Sequence, residues 1–340
     1  MKPLIAHNTD QHRRNTAIGL LCVGALLAVV AWALCAGDYP LTVAQAAHAL
    51  LHRGDPTAIA VVYDLRLPRL LGALLVGAAL AGAGAAYQLL FRNPLVSPDI
   101  LGVSTGAGLG AVLGIFLNLP QAGVQGFAFV GGLLTVALVV LCARGVQRGD
   151  PLLSLVLIGL VLASLAGAIT ALLKVLADPY NQLPAMTFWL LGSLANANMN
   201  QLLWIVPAVV LGVLGLALRR WSLNALAWGE DEARALGLPV ARIRLEVIVY
   251  ATLISSAVVS AVGVVGWVGL LVPHAARLLV GPNFPKLLPV SLFFGALFLA
   301  LVDTASRAFT AFEVPLGVIT ALLGGPVFLA LLMRRGGATP

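Results

Sequence analysis

Apolar runs of about 20 residues recur along the whole 340-residue chain, and they constrain its fold more than any other feature. A helix of ~20 residues rises 1.5 Å per residue and so crosses the ~30 Å hydrocarbon core of a bilayer. Hydrophobic residues make up 60% of the chain and charged residues 10%, against roughly 25% charged residues in a soluble domain. The runs lack the alternation of barrel strands, so the sequence predicts an all-α polytopic membrane protein.

The apolar runs form nine blocks. They cover residues 16–36, 67–90, 100–117, 122–142, 152–176, 200–218, 247–275, 288–309 and 315–333. Nine crossings would separate the two ends, yet Arg13 and Arg14 precede the first block and Arg334 and Arg335 follow the last. Block 247–275 contains three closely spaced glycines and then a proline, so we expect it to hold two crossings. About ten transmembrane helices are therefore predicted.

The distribution of positive charge orients these ten helices. On this topology fifteen lysine and arginine residues lie on the side of the termini and five on the other, which predicts a bacterial inner-membrane protein with both termini in the cytoplasm. The same rule accounts for the net charge of +7. A nucleic-acid partner is therefore not needed to explain that charge. Block 16–36 exceeds the 7–15 residues typical of a signal-peptide core, which favours an uncleaved first span. Cys22, Cys35 and Cys142 lie in apolar runs and are expected to be small packed residues.

Two segments between the spans are distinctive. Residues 219–246 form the longest polar stretch, and within it a short helix is predicted, with three acids in its first turn and Gly237 and Pro239 as stop signals. This helix fits a solvated connector or a rigid lever for a partner equally well. Residues of about 183–194 are predicted to form a short external helix, and the whole chain, 1–340, a single transmembrane domain.

Four glycines recur at every fourth position of the third predicted span. They are Gly102, Gly106, Gly110 and Gly114. Small residues at this spacing let helix backbones approach closely in lipid, so helix packing is the favoured role, with lining of a substrate path as the alternative.

Several short motifs occur in a recognisable order. They are Arg66-Leu67-Pro68-Arg69, Asn93-Pro94-Leu95, Asp99-Ile100-Leu101-Gly102, Phe188-Trp189-Leu190-Leu191-Gly192-Ser193, Ala233-Arg234-Ala235-Leu236-Gly237, Val272-Pro273-His274, Val314-Pro315-Leu316-Gly317-Val318 and Leu323-Gly324-Gly325-Pro326. In this order, over about residues 17–335, they resemble the FecCD family of ABC importer permeases. The resemblance implies a type II ABC importer permease bundle of about ten helices.

The same resemblance implies partners and cargo. The partners would be a second permease copy or a paralogue, two separate ABC ATPase subunits and an external substrate-binding protein. ATP and magnesium would bind the ATPase, since the chain has no G-x-x-x-x-G-K-[ST] phosphate loop; the permease itself would be no enzyme and would hold no cofactor or metal. The cargo would be an iron complex, with a siderophore placed first, haem and cobalamin next, and a molybdate-like oxyanion as a further alternative.

Three arginines on the outer side depart from the general charge bias. Arg66 and Arg69 begin the second span and share a helix face, and Arg307 ends the span 288–309. Snorkelling to the interface is one interpretation. The resemblance favours the other, in which these guanidiniums pair with glutamates of the binding protein.

The resemblance also assigns the cytoplasmic helix and a pathway. The helix would couple to the ATPase through Glu230, Asp231, Ala233, Arg234, Leu236, Gly237 and Leu238. The pathway would follow the fifth span, lined by Leu152, Leu153, Ser154, Ser164, Gly167 and Thr170, with ordinary helix packing as the equal alternative.

The remaining ionisable groups near spans favour structural roles. Asp303 and Lys174 lie near span ends, where the cost of a charge in lipid is reduced. His274 follows a proline with no second ligand nearby, and His48 and His52 are too few for a metal site. The rival functions are a secondary transporter, which would need midplane carboxylates, and a passive channel, which would need a filter motif or charged ring; the sequence favours neither.

Overall fold

A computed structural model describes residues 3–146, 150–309 and 313–336, and every regular element in these ranges is helical. In chain order the helices are α1 (Pro3–Cys35), α2 (Val43–Leu50), α3 (Pro56–Ala60), α4 (Leu67–Leu90), α5 (Val103–Phe116), α6 (Gln121–Gly145), α7 (Pro151–Leu176), α8 (Gln182–Leu191), α9 (Met199–Leu218), α10 (Arg220–Leu226), α11 (Glu230–Ala235), α12 (Val240–Val262), α13 (Val268–Val280), α14 (Phe284–Phe309) and α15 (Leu316–Gly336). A π-helical segment, Val61–Arg66, joins α3 to α4, and a 3₁₀ turn, Pro98–Leu101, precedes α5.

Ten of these helices are apolar enough to lie in a membrane. Six are also long enough to cross it outright, and four are shorter, within α1, α5, α13 and α15. The expectation of an all-α bundle with about ten transmembrane helices is confirmed for the described residues.

Helix α4 forms the centre of the bundle. It packs against α14, α12 and α13, and nearly all of its side chains from Gly72 to Leu90 are buried. Glycine makes these contacts close: a Cβ on Gly77 would collide with the backbone of Gly295, and one on Gly84 with the backbone of Gly269. In lipid, van der Waals packing between closely spaced helices thus takes the place of the hydrophobic effect, and small residues allow that close approach.

The predicted division of block 247–275 is confirmed. Helix α12 ends at Val262, Gly263 takes a positive φ of 74°, and α13 starts at Val268. A Cβ on Gly263 would strike the carbonyl oxygen of Trp189, so the crossing of two backbones requires glycine here. Helix α12 begins seven residues before the apolar block, because the charged segment 240–246 continues the same helix.

The two ends of the bundle are defined by α14. At its start, the amide of Phe284 donates to Asn224 Oδ1 of α10 at 3.2 Å, and α10 packs against α11. Arg307 lies 23 residues further along α14, which is roughly 35 Å at 1.5 Å per residue. We call the end that contains Arg66, Arg69 and Arg307 the arginine end, and the end that contains α11 the acidic-helix end.

Candidate functional sites at the two ends of the bundle

Arg69, in the first turn of α4, binds two carboxylates from distant parts of the chain. Its Nε donates to Asp303 Oδ1 at 2.9 Å, and its Nη1 donates to Glu313 Oε1 at 2.6 Å. The side chain of Asp303 is 2% exposed, whereas that of Glu313 is 48% exposed. Asp303 also lies 3.5 Å from Nε of Arg307, one turn along α14. A single buried carboxylate therefore holds two of the three arginines.

Arg66 and Arg307 close the end of α1. Arg66 donates to the carbonyl oxygens of Leu34, at 2.6 Å, and Tyr39. Arg307 donates to the carbonyl oxygens of Ala33 and Ala36 at 3.2 and 3.3 Å. The last carbonyls of a helix have no hydrogen-bond partners within it, and they carry the negative end of its dipole. The two arginines supply hydrogen-bond donors to these carbonyls and positive charge beside the negative end of the dipole.

These three arginines line a cavity of about 260 Å³ at the arginine end. Glu313, Tyr39 and Asp38 also line it. Tyr39 donates its hydroxyl to Asp55 at 3.1 Å, and this bond together with the negative charge of Asp55 raises the pKa of Tyr39. The cavity thus presents guanidinium groups that are already anchored inside the protein, a suitable surface for a carboxylate entering from outside.

The structure brings together all three arginines that the sequence singles out, but it also places two carboxylates among them. Asp303 was expected near a span end in a structural role, and its spacing of four residues from Arg307 was a signal for an ion pair. Glu313 was not singled out, because its partner lies 244 residues away and no local pattern connects them.

At the acidic-helix end, α11 has a well-defined stop. The amides of Gly237 and Leu238 donate to the carbonyls of Arg234 and Ala233 at 2.9 and 3.1 Å, and Gly237 has a φ of 77°. These paired bonds form a Schellman motif, which favours glycine at the left-handed position. A Cβ on Gly237 would meet no atom of the described residues within 4 Å, its two chain neighbours aside, so the space beside it is open.

The charges of α11 pair mostly within the helix. Arg234 binds Glu230 at 3.0 Å and Asp231 at 2.8 Å, while Glu230 also pairs with Arg244 of α12. Ala233 is fully buried and fixes α11 against the bundle. The outer face therefore has a rigid backbone and exposed charges.

Exposed apolar side chains flank this helix. They are Trp221, Trp228 and Leu236, which are 67%, 81% and 72% exposed. Sequence reasoning included Leu236 but neither tryptophan, and it predicted one short helix where the structure has two, α10 and α11. Large exposed side chains on a rigid polar element are typical of a protein–protein contact.

The residues proposed for a pathway lie along α7. Leu152 is buried, Leu153 is exposed, and a Cβ on Gly167 would meet no described atom outside its own helix within 4 Å. The hydroxyls of Ser154, Ser164 and Thr170 each donate to the carbonyl four residues earlier, at 2.8–3.0 Å. Because these hydroxyls are satisfied within the helix, the face is less polar than its sequence suggests, and it lies mostly uncovered by the rest of the described chain.

The glycine series packs α5 against α6, with one correction. A Cβ on Gly106 would collide with Thr135, one on Gly110 with the backbone of Phe127, and one on Gly114 would lie 3.0 Å from Val124 Cα. The expectation that Gly102 belongs to the helix is wrong: it precedes α5 with a φ of 77°, and its amide closes the 3₁₀ turn by donating to Asp99 O at 2.7 Å.

The two histidine positions behave differently. His274 is 1% exposed and lies edge-on to Phe328, with ring centroids 6.3 Å apart. His52 lies beyond the end of α2 and stacks on Tyr63 at 4.4 Å. Lys174 is in the last turn of α7, near the C-terminal end of that helix.

Comparison with known proteins places this geometry in context. The FecCD transport family matches residues 25–334. The molybdate import system permease protein MolB of Haemophilus influenzae is 38% identical over 94% of this chain and 96% of its own length. The cobalamin import system permease protein BtuC of Halobacterium salinarum is 42% identical over 87% of this chain and 79% of its own length.

A solved structure has the same fold. It is described as an inward-facing conformation of a metal-chelate type ABC transporter, and it aligns with a TM-score of 0.86 at 36% identity. The alignment covers 94% of this chain and 99% of the other, so the two bundles agree over almost their whole length.

Proposed function

The chain belongs to the FecCD transport family, and from this premise we propose that it is the permease subunit of an ATP-driven importer, to which an external binding protein delivers an iron complex. The fold and the relatives support a polytopic membrane permease of an ABC system. Its partners, its cargo and its orientation in the membrane belong to the proposal.

The observation that carries this proposal is the separation of two different polar sites. The arginine end offers anchored guanidiniums around a cavity of about 260 Å³, suited to carboxylates of a binding protein. The acidic-helix end, roughly 35 Å away along α14, offers a capped helix flanked by exposed tryptophans, suited to a groove on an ATPase. An importer needs one contact of each kind on opposite faces of the membrane.

The uncovered apolar face of α7 supports a second permease subunit. Leu153, Leu157, Leu160 and Leu165 are each more than half exposed. Two such faces meeting on an axis would enclose a pathway with Ser164, Gly167 and Thr170 along it. The hydroxyls of Ser164 and Thr170 already donate to carbonyls of their own helix. This lining would therefore bind a passing cargo weakly, as release requires.

The iron complex is proposed from the relatives named for iron-chelate transport, and the similar transporter of metal-chelate type supports a chelated metal in general. The relatives named for cobalamin and molybdate import make those cargoes, with haem, the alternatives to be tested. A suitable experiment measures uptake of a ferric siderophore, haem, cobalamin and molybdate in a strain lacking this gene, with and without the gene restored. Restoration of siderophore uptake alone supports the proposal, and restoration of another cargo corrects it.

The importer class is tested by reconstitution. The chain is purified with a candidate ATPase and a candidate secreted binding protein from its own genome, and placed in lipid nanodiscs. We expect the binding protein to stimulate ATP hydrolysis. Uptake in cells that persists after ATP depletion but stops when the ion gradient is dissipated would instead indicate a secondary transporter.

A further inference from the structure

Glu313 occupies a position that an incoming carboxylate would need. It binds Arg69 Nη1 at 2.6 Å, and it lines the cavity that contains Arg66 and Arg307. The other carboxylate on Arg69 is Asp303, which is buried and also faces Arg307. Because Glu313 is half exposed, its carboxylate can return to water when the pair opens, whereas release of Asp303 would leave a charge buried.

We propose that Glu313 is an exchangeable latch: it holds Arg69 in the undocked chain, and a carboxylate of the external binding protein replaces it on docking. This inference rests on the proposed function of the arginine end as the docking surface. It assigns the two carboxylates different tasks. Asp303 keeps Arg69 and Arg307 in place, and Glu313 keeps Arg69 occupied until the partner arrives.

The segment that follows Glu313 connects the latch to the rest of the bundle. The amide of Leu316 donates to the carbonyl of Gly192 at 2.9 Å, directly after α8. The amide of Ser193 donates to the carbonyl of Val262 at 2.8 Å, at the end of α12. A Cβ on Gly317 would lie 2.5 Å from Leu191 O and 2.9 Å from Val264 O. Three backbones therefore meet here without side chains between them.

This junction makes the latch a conformational device. Residues 191–193, 262–264 and 315–317 come from α8, the α12–α13 break and the start of α15. Packed backbones without flexible side chains transmit a displacement instead of absorbing it. Release of Glu313 from Arg69 would therefore loosen the attachment of α8 to α15, on the same side of the bundle as the docking cavity.

A second cavity offers a place for the released carboxylate. It has a volume of about 520 Å³ and shares Glu313 and Ala195 with the first cavity. Apart from Glu313, its polar lining is neutral and includes Gln125, whose Nε2 is buried and has no hydrogen-bond partner among the described residues. The amide N–H of Gln125 can donate a hydrogen bond to a carboxylate oxygen there, and a neutral donor does not compete with Arg69 for charge.

The latch is tested first without any partner. Hydrogen exchange at the Leu316 amide is measured in nanodiscs for the unmodified chain, Glu313→Gln and the control Asp38→Asn. Asp38 lines the same cavity, so its substitution removes one negative charge and leaves the ion pair intact. We expect exchange at Leu316 to rise about tenfold in Glu313→Gln, through local opening, and to stay unchanged in Asp38→Asn.

Affinity for the binding protein used in the reconstitution is the second measurement. If the latch is closed about nine-tenths of the time, its removal strengthens docking about tenfold. Glu313→Asp keeps the charge on a side chain one methylene shorter and should strengthen docking as well. Any gain in docking affinity that Asp38→Asn produces at low salt should vanish at 0.5 M salt, because salt screens long-range attraction. The gain in docking affinity from Glu313→Gln should persist at 0.5 M salt.

Unchanged exchange at Leu316 together with unchanged affinity in Glu313→Gln would overturn the latch. So would equal gains from Glu313→Gln and Asp38→Asn that both disappear at high salt, since general electrostatics would then account for them. A binding protein that fails to dock on the unmodified chain would reject the proposed function instead, and the exchange measurement would still decide the latch.

Discussion

The two ends of the bundle use the same residue types in opposite ways. At the arginine end, Arg69 pairs with carboxylates 234 and 244 residues away, and both it and Asp303 are buried. At the acidic-helix end, Arg234 pairs with acids three and four residues away, and its side chain is 57% exposed. At the first end Arg69 joins segments that are distant in sequence, whereas at the second end Arg234 pairs with acids of its own short helix.

This difference indicates that the buried pairs stabilise the fold, whereas the exposed pairs lie on a surface that a partner can contact. Buried pairs between distant segments fix the tertiary structure, because breaking one leaves an uncompensated charge inside the protein. Exposed local pairs contribute little and can be rearranged when a partner binds. We therefore expect loss of a charge at the arginine end to affect both folding and docking, and loss of a charge on α11 to affect partner binding without loss of stability.

The largest expected difference is in stability. Asp303→Asn leaves Arg69 and Arg307 without their shared charge and should lower the free energy of unfolding by about 3–5 kcal/mol. Asp231→Asn, at a side chain 93% exposed, should leave it unchanged within error. Thermal unfolding in detergent compares the two variants, and equal losses would remove the distinction between the ends.

Coupling is expected to fail at Gly237 without loss of fold. Gly237→Val places a branched side chain at a φ of 77° in the open space beside α11, where an ATPase would sit. Uptake should fall to background while the chain still inserts. Gly281→Val is the matched control, since Gly281 has a φ of 79° and equally open space. Both variants should lose similar stability, and loss of uptake in the control as well would refute the coupling role.

Trp228 is expected to contribute directly to ATPase binding. Trp228→Ala should weaken the ATPase–permease affinity about 30-fold, which corresponds to the roughly 2 kcal/mol of an interface hot spot. Trp204→Ala on α9 is the control, because Trp204 is 82% exposed, close to the 81% of Trp228. Affinity is measured by titrating the ATPase onto permease nanodiscs. Equal effects of the two substitutions would argue against a contact at Trp228.

The smallest expected effect is at Arg66. Arg66→Lys keeps the charge but loses the forked donors that reach Leu34 and Tyr39, so one hydrogen bond is lost. Binding-protein affinity should fall about tenfold, because a lysine ammonium also lacks the planar fork that pairs bidentately with an incoming carboxylate. Arg234→Lys should leave that affinity unchanged. Weaker docking in Arg234→Lys would mean that the two ends are not independent.

Much of the fold could be predicted because its signals are local. Apolar run length predicted the spans, the glycines of block 247–275 predicted the break after Val262, and Gly237 predicted the stop of α11. Helix α10 escaped prediction because Arg220–Leu226 is neither an apolar run nor flanked by strong caps. Gly102 was misplaced because a regular four-residue spacing cannot distinguish a helical glycine from one in the preceding turn.

The candidate sites could be predicted only in part. Unusual charge on one side of the membrane identified Arg66, Arg69 and Arg307. The sequence could not show most of what they bind, because their acceptors include carbonyls at and just beyond the end of α1 and a glutamate that follows α14. Of the acceptors, Asp303 alone had a local signal, its spacing of four residues from Arg307. The other contacts form only when distant segments come together in the folded chain, so no repeating sequence pattern predicts them.

The central claim is that the arginine end and the acidic-helix end lie on opposite sides of the membrane. Single cysteines at Asp38 and Asp231, in a chain whose three native cysteines are replaced by serine, report the two ends with a membrane-impermeant maleimide. We expect Asp38→Cys to label in right-side-out vesicles and Asp231→Cys only in inverted ones. Labelling of both positions from the same side would contradict the account.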